Sequence, residues 1–291
     1  MTLISLLIIL FLEHQFNLSR ILAEKLRARQ LLPGWHKTVI GKTKDNAPLL
    51  IYTLLLMPVV IVVWLTSMEG DWTLGLFQFV LTLVVLSYSL GPINQNTHLA
   101  AYYEAVERED LQAAFMEVQE NLNQKARHEP PEDFESLGRQ VTELILRQCN
   151  FRLFGVLFYY VIFGVGGALA YNLICNIEYH SRDKDDDPVY KIAQTVRTWV
   201  DWLPQRLTAI LYGLAGDFNG AMAQFLPYAF KSGEQSCGML EHTGLGAMGL
   251  EVEQRTMDVI TENNQAMALV SRSGMVFILI IAIMTVFGWL N

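Results

Sequence analysis

Residues Phe151 to Cys175 read FRLFGVLFYYVIFGVGGALAYNLIC, and their one charge is Arg152, at the very start. Beyond that residue the run is long enough to cross a hydrocarbon core of ~30 Å as a helix. A helix suits such a crossing because all its backbone groups pair internally. Gly155, Gly164, Gly166, Gly167, Ala168 and Ala170 lie along the run. Small residues let membrane helices approach closely, so the run is expected to be a packed span that permits a homodimer without requiring one. The expected fold class is therefore an all-α polytopic membrane protein.

Further apolar runs fill residues 1–12, 48–67, 73–92 and 273–290. With 151–175 they predict four to five transmembrane helices in a single membrane domain over residues 1–291. The first run has no basic residue before it and no small-residue cleavage site, so it reads as an anchor rather than a signal peptide. Its helix is expected to continue into water through Arg20, Lys25, Arg27 and Arg29. Trp64, Trp72 and Trp289 sit near run ends, where indole rings favour the interface. Pro58 inside the second run predicts a kink. Residues 13–47 hold seven Lys/Arg against three Asp/Glu, while 68–72 holds two acids and no base. The positive-inside bias then places 13–47 and 93–150 in the cytoplasm.

Between the third and fourth runs the sequence predicts a helical hairpin over 97–148. Leu99, Tyr102, Tyr103, Val106, Leu111, Phe115 and Val118 recur at helical spacing, giving one helix over 97–127. Pro131, Glu132 and Asp133 suit the first turn of the next helix, which runs on into residue 151. Residues 188–271 read as amphipathic or re-entrant, with Leu203–Phe230 apolar enough to dip into the membrane. Glu251–Ser271 reads as an amphipathic helix leading into the last span. The side of the membrane on which 176–272 lies stays open, since eight bases against thirteen acids do not decide it.

Composition agrees. Of 291 residues, 52% are hydrophobic and 17% charged, where a soluble chain carries about 25% charged. The net charge of −8 argues against nucleic acid as the main partner, because phosphate binding needs a basic face. Cys149, Cys175 and Cys237 have no paired zinc spacing and read as free thiols.

Several patterns invite a chemical reading. Gly244-Leu245-Gly246-Ala247-Met248-Gly249 matches GxGxxG but lacks the preceding strand that the motif needs, so a flexible turn is expected there. Asp183, Asp185, Asp186 and Asp187 have the chemistry of magnesium or calcium ligands but no loop pattern, which favours a solvated stretch. Glu13 and His14 stand at a membrane boundary, as a site residue or as an interfacial group. Asn176, Glu178 and His180 end the glycine-rich span, as pocket groups or as an ordinary helix terminus. Asp201 and Arg206 bracket Pro204. Proline and aspartate suit a helix start, from whose first turn Arg206 could clamp a phosphate or carboxylate; an Asp201–Arg206 ion pair fixing the turn is the other reading. No catalytic residue and no metal ligand is assigned.

Asp201-x-x-Pro204-x-Arg206-Leu207 resembles the D…P-x-R-L signature shared by the AmpE family and the CobD/CbiB cobalamin-biosynthesis proteins. Gly166-Gly167-Ala168-Leu169-Ala170-Tyr171 and Asn176-x-Glu178 resemble the glycine-rich span of CobD/CbiB that ends in NT-x-D. The Met-Thr-Leu start, the position of Glu13 and the last apolar helix also fit, so the likeness covers nearly the whole chain. CobD/CbiB enzymes resemble ATP-dependent amide synthases and carry EN-x-x-D before the fourth span. Here Cys149-Asn150-Phe151-Arg152-Leu153 keeps only the asparagine, and Asn176-Ile177-Glu178 loses a threonine hydroxyl and lengthens an acid. Magnesium–phosphate chemistry needs such acids, so AmpE is the better match.

That resemblance implies a bacterial inner-membrane protein linked to β-lactamase induction, antibiotic resistance and peptidoglycan recycling. The expected partners are the bilayer and a cell-wall fragment or other anionic or lipid-linked ligand near Arg206, Asp201, Asn176, Glu178, Glu13 and Asn150. No cofactor is expected. The alternative is a divergent amide-forming synthase of the CobD/CbiB type, and only that reading requires magnesium and ATP. A permease is the weakest class, because no span carries a mid-membrane charge pair.

Overall fold

A computed structural model describes Ile8 and residues 47–67, 72–90, 95–121, 131, 133–181, 188–231, 238–250 and 258–288. The expectations for residues 1–7 and 9–46, for the aspartate-rich stretch 183–187, for Cys237 and for Trp289 lie outside the described residues. Among the described residues the protein is wholly helical, with no strand.

The elements are α1 (Ala47–Thr66), α2 (Trp72–Leu90), α3 (Gln95–Glu107), α4 (Leu111–Asn121), α5 (Phe134–Cys149), a π-helical segment (Asn150–Phe154), α6 (Gly155–Ser181), α7 (Pro188–Ala215), α8 (Phe218–Phe225), a 3₁₀ turn (Leu226–Tyr228), α9 (Met239–Ala247) and α10 (Val259–Val286). Helices α1 and α2 fall within two residues of the predicted runs and contain no charged residue. Helix α1 continues through Pro58. At its end the hydroxyls of Thr66 and Ser67 donate to the carbonyls of Val62 (2.9 Å) and Val63 (2.7 Å). That local bonding competes with further helix.

Four expectations change. The single helix over 97–127 is two, α3 and α4. Glu109 adopts a left-handed φ of 58°, and the Asp110 carboxylate accepts from the Ala113 amide at 3.0 Å, capping α4. Helix α5 begins after Asp133, whose carboxylate accepts from the Ser136 amide at 2.8 Å. Asp133 is thus the cap, and Pro131 precedes the helix. The Asp201–Pro204 stretch is no helix start: α7 opens thirteen residues before Asp201, on Pro188, and Pro204 is interior. Gly244 and Gly246 lie inside α9 rather than in a flexible turn, and only Gly249, at φ +72°, takes the left-handed shape that ends a helix.

The chain divides into two compact units, one of Met1–Ile93, Phe151–Pro204 and Ile281–Asn291, the other of Asn94–Asn150 and Gln205–Ile280. In the first, α6 packs against both α1 and α2. Gly166 lets the Val63 side chain lie against the α6 backbone. The Asn172 amide donates to the Ser89 carbonyl at 2.8 Å, tying α6 to α2. Helix α6 breaks at Gly164, with φ 66° and ψ −159°, a conformation open almost solely to glycine. The outer faces of α1 and α2 expose Leu56, Met57, Val60, Trp64, Phe77 and Val80.

In the second unit α3 packs on α4, α4 and α9 pack on α5, and α8 packs closely on α9. Gly216 and Gly220 meet the backbone of Ala247 and Gly246, which is the work of the GxGxxG-like stretch: close helix packing. Leu137, Val141, Ile145, Tyr212 and Leu269 are fully or almost fully buried. Among them lies a polar chain. The Thr142 hydroxyl of α5 donates to Asn263 Oδ1 of α10 at 2.7 Å, and Asn263 Nδ2 meets the Tyr102 hydroxyl of α3 at 3.3 Å. Among the described residues, two helical stretches, Gly155–Glu178 and Val259–Val286, are long and apolar enough to cross a membrane.

Candidate functional site

Helix α6 ends its apolar length on Glu178, and α7 carries Arg197 and Asp201 one turn apart. The i,i+4 spacing places these two side chains on one face. Arg197 Nε donates to Asp201 Oδ2 at 3.2 Å, and Arg197 Nη1 donates to Glu178 Oε2. Tyr171 of α6 donates its hydroxyl to Asp201 Oδ1 at 2.7 Å. The guanidinium also lies 3.9 Å from the centroid of the Phe151 ring, close enough for a cation–π attraction. Tyr159 stacks on Tyr171 with centroids 5.3 Å apart.

All three charges are withdrawn from water: the side chains of Arg197, Glu178 and Asp201 are 15%, 4% and 5% exposed. Two carboxylates, Glu178 and Asp201, share the guanidinium of Arg197. Burial raises the Asp201 carboxyl above the ordinary aspartate range, while Arg197 and the Tyr171 hydroxyl pull it back. An arginine already donating to two carboxylates is poorly disposed to clamp a phosphate, and carboxylates held by arginine are poorly disposed toward magnesium. Among the described residues no group of three or more His, Cys, Asp or Glu could hold a metal.

The predicted site residues thus fall into separate places. Glu178 and Asp201 come together through Arg197. Asn176 bonds Asn172 on the preceding turn of α6, at 2.7 Å. Glu13 lies outside the described residues. Asn150 and Arg206 belong to the other unit. Asn150 opens the π-helical segment, accepts from the Thr208 hydroxyl at 2.9 Å through Oδ1, and is fully buried. Its Nδ2 has no acceptor among the described residues. Beside it, Cys149 Sγ lies 2.5 Å from the Tyr212 hydroxyl, which meets the Leu146 carbonyl at 2.6 Å. Burial pushes the Cys149 thiol up to about 12, so it is unreactive, and both Cys149 and Cys175 are free.

Arg206 departs furthest from expectation. It is interior to α7, 7% exposed, and its Nε donates to the Ala229 carbonyl at 2.6 Å while Nη2 donates to the Lys231 carbonyl. The signature arginine caps backbone carbonyls. Sequence reasoning missed Arg197 and Tyr171. The Arg-x-x-x-Asp spacing was the available signal, and it is legible only once α7 is known to begin at Pro188.

An all-helical chain with membrane-length apolar helices and an arginine-centred buried cluster is the class of protein that these observations define. The whole chain, residues 1–291, matches the family described as regulatory signalling modulator protein AmpE, and it belongs to that family. It is also 23% identical over 201 residues to the cobalamin biosynthesis protein CobD of Stutzerimonas stutzeri (strain A1501). That match covers 68% of this chain and 64% of the relative, so it spans just under two thirds of the relative's length. No solved structure matches the chain.

Proposed function

We propose that the protein is a polytopic bacterial inner-membrane modulator that reports on peptidoglycan recycling to β-lactamase expression, and that it binds a small anionic or lipid-linked ligand without converting it. Membership of the AmpE family supports the regulatory role. Apolar helices of membrane length in α6 and α10 support the location. The observation that carries the choice of modulator over synthase is the engagement of both Glu178 and Asp201 by Arg197. Those are the acids a magnesium-nucleotide site would need, and here both already accept from the same guanidinium. Asn150 is the ligand contact we favour, because its buried Nδ2 is a donor with no acceptor among the described residues, and a π-helical segment frequently marks a functional position.

The test is β-lactamase induction in cells whose own copy of the gene is deleted, complemented by the wild type or by Asn150→Ala at matched protein level. Loss of the modulated response in the variant is expected. An unchanged response removes Asn150 from the site, and magnesium-dependent ATP consumption by the purified wild type would overturn the modulator reading.

A further inference from the structure

The second unit has an exposed apolar corner. Leu226 is 66% and Phe230 94% exposed, on either side of Pro227, Tyr228 and Ala229. Ile210 and Leu214 of α7, and Phe218 at the start of α8, are also exposed. Lys231 follows directly, with its ammonium 5.0 Å from the Tyr228 ring centroid. Exposed phenylalanine beside an aromatic ring and a lysine is the chemistry of a membrane–water boundary, where apolar groups enter the acyl region and cations stay with the phosphates.

A second observation points to the same occupant. The chain leaves the 3₁₀ turn here, so the carbonyls near its end lack helical partners. In water such carbonyls need none. In lipid each unsatisfied one costs several kcal/mol. Within this corner the Ala229 amide bonds the Leu226 carbonyl at 3.3 Å and the Lys231 amide bonds the Tyr228 carbonyl at 3.0 Å. The carbonyls of Ala229 and Lys231 are met by Arg206, a buried guanidinium brought from α7.

We propose that the Leu226–Lys231 corner inserts into the bilayer, with Arg206 as the positioning residue that satisfies its backbone. The occupant is a lipid surface, whose acyl chains meet Phe230 and whose anionic headgroups meet Lys231. The signature arginine then serves as an internal cap that lets irregular backbone enter hydrocarbon. This inference rests on the membrane reading above.

The experiment places the photoreactive residue p-benzoylphenylalanine at position 230 of the full chain in native membranes, with a control at exposed Gln112. Illumination is expected to give phospholipid adducts at 230, detected by mass spectrometry, at least several-fold above the control. A protein adduct, an adduct to a second copy, or yields equal to the control would overturn the proposal. Introducing Arg206→Lys, which keeps the charge but loses the two-pronged geometry, is expected to lower the lipid yield severalfold while the protein still melts cooperatively. Carbonate extraction separates the two readings. A chain released from the membrane pellet refutes the membrane location itself, whereas a retained chain without lipid adducts at 230 refutes only the inserted corner.

Discussion

Arg197 is the residue on which the first unit's chemistry turns. Removing it would strand two buried carboxylates, whereas removing Asp201 would leave the Arg197–Glu178 pair in place. Breaking a buried pair from one side costs about 3–5 kcal/mol, so Arg197→Leu is expected to lower stability by that amount in detergent melts. Asp201→Asn is expected to change it by less than about 1 kcal/mol at neutral pH, since it leaves the Arg197–Glu178 pair in place and keeps a polar partner for Tyr171. The pH dependence follows from the raised Asp201 carboxyl. The folded protein holds this proton more tightly than the unfolded chain, whose aspartates titrate near ~3.9. That contribution is complete below the unfolded value and fades as pH rises through the folded one. Asp201→Asn should therefore flatten the melting profile as pH rises from the unfolded aspartate range. A variant as pH-dependent as the wild type would show that the carboxyl is not the group that titrates.

At the scale of elements, what the sequence revealed and what it concealed have different physical causes. The uncharged runs at 48–67 and 73–92 were legible because their composition permits little else, and α1 and α2 lie there almost to the residue. The apolar helix after Phe151 was legible too, but its break at Gly164 was not: glycine in a small-residue stripe reads equally as packing, and only the backbone angles separate the two. The split between α3 and α4 was hidden because Arg108-Glu109-Asp110 is common on an exposed helix face, and nothing local marks Asp110 as a cap. The site residues suffered the same way. Asp201-x-x-Pro204 has the look of a helix start, and that reading led away from Arg197. Two glycines in helices of the first unit now make a paired test. Gly164→Ala would force a side chain into a glycine-only conformation and is expected to cost about 1–3 kcal/mol. Gly75→Ala adds a methyl in open space and should stabilise α2 by about 0.5–1 kcal/mol. Detergent melts showing equal effects for the two would mean that α6 is not broken at Gly164.

For the whole molecule, a chain made largely of apolar helices has a difficulty: greasy faces fit one another in many alignments. The Thr142–Asn263–Tyr102 chain is the counterweight, because three polar groups on three helices meet at only one alignment. Sliding α10 by a turn would leave each of them buried and unbonded, at about 1–3 kcal/mol apiece. Asn263→Leu is expected to cost about 2–6 kcal/mol by orphaning the two hydroxyls, and to give a broader melt as competing alignments become populated; a sharp, unshifted melt would refute this. In the terms of a lock, the hydrophobic faces supply the force that closes the barrel, and Asn263 is the cut of the key that lets it close in a single position.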